Sequence, residues 1–342
     1  MMNETRRNIL KGLAATPALA LAPNLLWAQA AGELKISHQF PGGTATEGDF
    51  RDRLCRRFSA EIAKRSNGAL KGTVYPGSSL MKTNAQFSSV RKGALDMTLV
   101  PLSYAGGEVP ETNIGLMPGV VTSYEQAVSW KKAEVGKALA NILADKGVLI
   151  VSWIWQAGGV ASRVKPIIEP EDAKGLKVRG GSREMDMVLK QAGATVLTLP
   201  SNEIYAAMQT GALDAAMTSS TSLISFRLEE VGKALTTGRG KTYWFMFEPL
   251  LISRAVFEKL PKAQQDLIMT VGAEMEAYAL EGAKADDQAV AAVYQKAGGK
   301  AYDMNDATVK KWQAIARDTA WKDFAGKNES CARILKLAEA TL

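Results

Sequence analysis

One histidine and two cysteines in 342 residues leave this chain short of the side chains on which most hydrolytic and metal chemistry depends. His38 would be the sole imidazole base open to a serine or cysteine nucleophile, and no motif surrounds it at the end of a predicted strand. Structural zinc sites draw on several His and Cys ligands, so no metal is expected. Gly238-Arg239-Gly240-Lys241-Thr242 resembles the end of a phosphate-binding loop, but Leu235 stands where its first glycine is required. No Gly-x-Gly-x-x-Gly follows a strand either, so no dinucleotide, and no other cofactor, is expected. Aromatic residues make up only 7% of the chain and do not interleave with lysine or arginine runs, which excludes a nucleic-acid surface. No apolar run reaches the roughly 18 residues that span a bilayer. Together these absences lead away from an enzyme.

What is present begins with an export signal. Arg6-Arg7 opens a cationic segment, Gly12 to Trp27 is apolar and alanine-rich, and Ala28-Gln29-Ala30 has the small-x-small form of a cleavage site. Residues 1–30 therefore read as a signal peptide, and the paired arginines before Asn8-Ile9-Leu10-Lys11 resemble the twin-arginine form, with an ordinary secretion signal as the alternative. Its removal leaves 39 basic and 34 acidic side chains, a net charge of +5 that favours anionic partners. Cys55 and Cys331 are compatible with one disulfide in an oxidising compartment or with two buried thiols.

Along the mature chain, strand and helix signals alternate. Glu33 to His38 alternates as a strand does, Asp49 to Arg65 carries apolar residues at helical spacing up to Asn67-Gly68, and Leu70 to Tyr75 is a second strand. An α/β fold follows. The sequence then repeats itself: Val90-Arg91-Lys92-Gly93-Ala94-Leu95-Asp96-Met97 is echoed by Met208-Gln209-Thr210-Gly211-Ala212-Leu213-Asp214-Ala215. Each reads as helix, left-handed glycine, buried leucine and new strand, so two similar lobes with a cleft between them are expected. The apolar runs Val148 to Trp155 and Tyr243 to Ser253 are the crossovers. The expected division is residues 31–154 plus about 245–285 in the first lobe, 155–244 in the second, and helices over 286–342 packing across both.

The stretch Gly175-Leu176-Lys177-Val178-Arg179, a helix to Gly193-Ala194, and Leu199-Pro200-Ser201-Asn202-Glu203-Ile204-Tyr205 running on to Gly211-Ala212-Leu213-Asp214 resembles the solute-binding proteins of TRAP transporters, the dicarboxylate-receptor DctP family. Val74-Tyr75-Pro76-Gly77-Ser78-Ser79-Leu80 and Glu248-Pro249-Leu250-Leu251-Ile252-Ser253 match in family order. The resemblance covers nearly all of the mature chain. It implies a two-lobed, type II-like periplasmic-binding-protein fold with long C-terminal helices, a periplasmic location, a small organic acid as ligand, and small and large integral membrane subunits as partners. The receptor itself is expected to be a monomer. Receptors of the same fold that serve an ATP-driven importer or a sensor kinase are the alternatives, followed by an exported enzyme acting on an acidic substrate.

Arg179 takes the place of the family's carboxylate-binding arginine, and a planar guanidinium suits that role because its parallel donors match two oxygens. The resemblance places further ligand contacts at His38 to Phe40, Tyr104, Trp155, Gln156, Ser201, Thr218 and Ser219. Trp155 is equally suited to core packing, and Ser219 to capping a helix. A second family arginine is replaced by Gly159, with Arg163 four residues on. That departure favours a monocarboxylate with a hydroxylated or aromatic body over a C4-dicarboxylate.

Overall fold

The protein is described from a computed structural model covering residues 32–239 and 242–342. The signal-peptide assignment, and Gly240 and Lys241 of the basic turn, lie outside the described residues.

Gly32–His38 (β1) and Leu70–Tyr75 (β2) pair in parallel, from Gly32 opposite Leu70 to Ser37 opposite Tyr75. Parallel neighbours need a crossover, which Phe50–Arg65 (α1) supplies. Asp49 caps that helix by accepting a hydrogen bond from the Arg51 amide, and the chain leaves it through Asn67 and Gly68 at φ of 50° and 79°. The helix buries Leu54, Cys55, Phe58 and Ile62. After Gln86–Arg91 (α2), Met97–Leu99 (β3) joins the other side of β1 in parallel. Val148–Ser152 (β4) and Leu250–Ser253 (β11) complete a five-stranded sheet in the order β2-β1-β3-β11-β4. This sheet is the frame of the first lobe.

The second lobe is built on Trp155–Ser162 (β5), Lys177–Arg179 (β6), Thr195–Val196 (β7), Ala215–Ser219 (β8), Ala234–Thr237 (β9), Phe245–Phe247 (β10) and Lys300–Asp303 (β12). Their order is β12-β9-β5-β8-β6-β7, with β10 on the first residues of β5. Arg183–Gln191 (α3) and Ile204–Gln209 (α4) connect the parallel strands β6, β7 and β8, and Ser220–Ser225 (α5) follows β8 directly.

The internal repeat has a defined structural role. Gly93 and Gly211 end α2 and α4 at φ of 72° and 78°, a conformation open to glycine without penalty. Leu95 and Leu213 are fully buried behind them. The Asp96 carboxylate accepts from the Lys35 amide on β1, and the Asp214 carboxylate accepts from the Lys177 amide on β6, both at 2.8 Å. Each aspartate thus supplies an acceptor to the neighbouring parallel strand one residue before the two strands begin to pair. Even the next contacts match: Ser253 N donates to the Asp96 carbonyl and Arg163 N to the Asp214 carbonyl, again at 2.8 Å.

Both crossover runs are broken where they change sheets. Trp153 and Ile154 separate β4 from β5, and Glu248 and Pro249 separate β10 from β11. Phe245–Phe247, expected in the first lobe, therefore pairs with the second sheet. A third crossing is Lys262–Lys296 (α6), whose 35 residues extend about 50 Å. It buries Ile268, Val271 and Met275 in the first lobe's cluster and Val290 and Tyr294 in the second's. The segment 286–342, expected to supply helices packing across the lobes, also contributes β12, which pairs in parallel with β9. Its helices brace both lobes, with the indole of Trp312 donating to the Ile168 carbonyl at 2.8 Å and that of Trp321 to Pro118 at 2.7 Å.

Cys55 and Cys331 are free thiols, buried in different clusters. Burial pushes the Cys331 thiol up to about 11 and moves Cys55 in the same direction. Of the two pairing states open to the sequence, the structure holds the unpaired one.

Candidate functional site

In open α/β sheets ligands gather at the carboxyl ends of the parallel strands. Here the ends of β1 and β3 in one lobe and of β6 and β8 in the other carry His38 to Phe40, the turn to Tyr104, Arg179, and Thr218 with Ser219. The two lobes touch at these ends. Ser103 Oγ donates to the Gly181 carbonyl at 3.2 Å, Asn113 Nδ2 to Glu184 Oε1 at 3.0 Å, and Thr83 Oγ1 to Asn202 Oδ1 at 3.3 Å. A cleft of about 350 Å³ remains at this seam, lined by Ser103, Tyr104 and Asn113 on one side and Gly181, Leu199 and Pro200 on the other.

Arg179 is the last residue of β6 and only 3% exposed. Its Nε donates to the Leu199 carbonyl at 3.0 Å, Nη1 to the Met217 carbonyl at 2.7 Å and Nη2 to the Tyr104 hydroxyl at 2.8 Å. A guanidinium has five N–H donors. One on each terminal nitrogen is left uncommitted, which matches the two oxygens of a carboxylate. Tyr104 reaches this arginine from the opposite lobe. Its phenolic oxygen also accepts from the Ser201 amide at 3.0 Å, so its own O–H proton stays available for donation. Arg179, Tyr104 and Ser201 therefore form one cluster across the seam.

Thr218 lies on β8 opposite Gly159, its hydroxyl without a protein partner among the described residues. Ser219 is the cap of α5: its Oγ accepts from the Ser222 amide at 3.2 Å. His38 and Phe40 turn into the first lobe. His38 Nε2 meets Asp52 Oδ1 at 3.1 Å, its ring stacks on Phe40, and the Arg51 guanidinium lies 3.5 Å over the Phe40 ring. Between them, inside the His38 to Phe40 stretch named from the sequence, Gln39 is buried with both amide atoms unpaired. Gln156 donates to Glu248 while its Oε1 has no partner. Trp155, on the opposite face of the same strand, leaves the cluster. It packs against Trp130 and Phe247 and lines a groove of about 490 Å³ with Trp153, Ala277 and Leu280.

Two further findings concern Gly159, where the resemblance implies a second arginine. A Cβ at Gly159 would fall on the Thr236 carbonyl oxygen, so no side chain fits there. Arg163 is exposed at the far end of β5 beside Gly211 and does not join the cluster. Gly158 gives its space to the ring of Trp244, whose buried Nε1 has no partner. An unpaired buried donor or acceptor is unfavourable by about 1–3 kcal/mol. Gln39, Gln156 and Trp244 thus carry unpaired neutral groups, as do His38 at Nδ1 and Trp155 at Nε1. Gln156 and the stretch holding Gln39 were named from the sequence; for Trp244 the signal was weak, since indoles serve cores in any sequence.

Close to Arg179, Asp186 on α3 accepts from the Thr198 hydroxyl at 2.9 Å. Burial raises its carboxyl to about 6, against the opposing pull of that bond and of Arg179.

The profile of the DctP family, described as bacterial extracellular solute-binding protein, family 7, matches residues 42–327. A solute-binding protein of Albidiferax ferrireducens is 69% identical over 337 residues, covering 98% of this chain and 99% of its own. The C4-dicarboxylate-binding periplasmic protein DctP of Rhodobacter capsulatus is 25% identical, covering 85% of this chain and 86% of its own. Among solved structures, a TRAP periplasmic solute-binding protein from Rhodoferax ferrireducens with bound malonate superposes with a TM-score of 0.89 at 73% identity, covering 90% of this chain and 98% of that one. The family match and the two-lobed fold agree: the chain belongs to the DctP family of bacterial extracellular solute-binding proteins and is a TRAP-type solute receptor, not an enzyme.

Proposed function

We propose that this receptor captures a small organic acid by seating a carboxylate on Arg179. The observation that carries the reading is the pair of uncommitted N–H groups on Nη1 and Nη2 beside the Tyr104 hydroxyl, which has a proton to give. Inside a cleft shielded from water, a charge-assisted bidentate pair is stronger and more selective for geometry than at a surface. With position 159 closed to any side chain, the rest of the acid meets neutral donors and acceptors from Thr218, Gln39, Gln156 and Trp244, with Ser201 holding Tyr104 in place. The malonate bound to the 73%-identical relative is an acid of this class.

Capture proceeds by closure. The lobes rotate about Trp153-Ile154 and Glu248-Pro249, with α6 as the third connection, and the closed form docks on the small and large membrane subunits. Residues 1–30 direct the chain to the periplasm and are then removed. The receptor acts as a monomer, in keeping with the few exposed large apolar residues among the described ones, Leu80, Val128, Val164, Met269 and Leu342.

A thermal-shift panel tests the reading. Malonate, succinate, uronic acids and aromatic acids are each compared with their neutral amides, since a ligand selective for the native state raises Tm. The expected result is a shift with at least one acid and none with its amide. Equal shifts for an acid and its amide would remove the Arg179 assignment.

A further inference from the structure

We infer that Arg51, outside the candidate carboxylate cluster, is a positioning residue that clasps the closed lobes by holding Ser219 and Ser222 of the second lobe to a guanidinium already neutralised within the first. The inference rests on the closure described above and adds a determinant of how long a captured ligand stays.

Arg51 is fully buried, at 0% exposure, although it stands in the first turn of α1, where an arginine ordinarily reaches water. Its charge is met on its own side. Nε and Nη2 donate to the two oxygens of Asp49 at 2.9 and 2.7 Å, and Nη1 donates to Glu248 Oε2, in the crossover between β10 and β11, at 3.0 Å. The Phe40 ring lies beneath the guanidinium plane. What reaches the second lobe is neutral: Nη2 donates to Ser222 Oγ at 3.1 Å and Nη1 contacts Ser219 Oγ at 3.4 Å. The two hydroxyls are bonded to each other at 3.1 Å at the start of α5.

This division of partners has a mechanical consequence. Separating two ions in a low-dielectric seam is strongly unfavourable, whereas parting a charge from hydroxyls while its counter-ions stay with it is modest. Of the Arg51 contacts, opening therefore breaks only those to Ser219 and Ser222, while Asp49 on the first lobe and Glu248 in the crossover stay with the guanidinium. Glu248 also accepts from Gln156 at the start of β5, so the clasp is wired to both crossovers and to a side chain of the candidate site. Ser219 adjoins Thr218 on β8, which places the clasp one residue from a proposed ligand contact.

The test compares Ser222→Ala, Arg51→Lys and Arg51→Met with the parent in full-length mature protein. Hydrogen exchange across residues 219–225 is read without ligand, and malonate association and dissociation rates are read by stopped-flow tryptophan fluorescence. Ser222→Ala should speed malonate dissociation about tenfold, which is 1.4 kcal/mol, and leave association within about twofold. Ser222→Ala and Arg51→Met should both speed exchange across residues 219–225, and Arg51→Lys should restore part of the protection. Unchanged exchange and unchanged dissociation in Ser222→Ala would overturn the clasp, even if its Tm falls. If Arg51→Met does not fold, Ser222→Ala still decides, because it leaves the buried ion group whole. Failure of the parent to bind malonate bears on the receptor reading alone, and the exchange measurement then judges the clasp by itself.

Discussion

Replacing Arg179 by lysine separates charge from geometry at the proposed anchor. The ammonium keeps the positive charge but presents one point instead of a planar fork, so the second oxygen of the carboxylate loses its own charged donor. A hydrogen bond to a charged group contributes about 1.5–3 kcal/mol, so Kd should rise by about 10- to 150-fold. Arg179→Met removes the charge as well and should weaken binding by a further tenfold or more. Both variants also release the Leu199 and Met217 carbonyls, now held at 3.0 and 2.7 Å. Each such buried carbonyl left unpaired is unfavourable by about 1–3 kcal/mol, so urea midpoints should fall too. Calorimetric titration of the acid chosen by the thermal-shift panel, well below the unfolding midpoint, isolates the binding term. A folded Arg179→Lys protein that binds within threefold of the parent would refute the bidentate assignment.

Asp186 sets a pH dependence. Its carboxyl is raised to about 6, above the unfolded value of 3.8, so the native state holds the proton more tightly and stability falls as pH rises from 3.8 through 6. A difference of this size is about 3 kcal/mol. Asp186→Asn should therefore be more stable than the parent above pH 6, with the gap closing toward pH 4. Parallel urea-unfolding curves from pH 4 to 8 would contradict this. In the repeat, Asp214→Ala removes the acceptor of the Lys177 amide and should lower stability by about 1–2 kcal/mol, with Asp96→Ala close behind. A circular-dichroism melt comparing the two variants checks that the roles are equivalent.

Local punctuation made much of this fold readable. The glycine that ends a helix, the leucine beneath it and the aspartate that meets the next strand act over a few residues, so Gly93 to Asp96 and Gly211 to Asp214 carried their meaning in the chain itself. The places where sequence patterning failed are long-range. Val148 to Trp155 is apolar throughout, and nothing in such a run marks the residue at which it leaves one sheet for another; the break at Trp153-Ile154 is decided by the partners on either side. Lys300–Asp303 is short and largely polar, a strand only because β9 offers it an edge. At the site, Arg179 was singled out through its motif, and the structure joins it to Tyr104, which in turn meets Ser201. His38, Phe40 and Trp155 have ring and hydrogen-bond partners of their own, because aromatic and imidazole rings at strand ends serve cores as readily as clefts. Arg51 and Glu248 were unreadable as a buried pair, since 197 residues separate them and each taken alone looks like a surface charge.

The most direct measurement is a crystal structure of the mature protein with the acid that the thermal-shift panel selects. A carboxylate on Nη1 and Nη2 of Arg179, also accepting the Tyr104 proton and enclosed by both lobes, is the expected result. An acid seated elsewhere, or an Arg179 that keeps only its three protein partners in the liganded crystal, would contradict the assignment of this residue as the anchor.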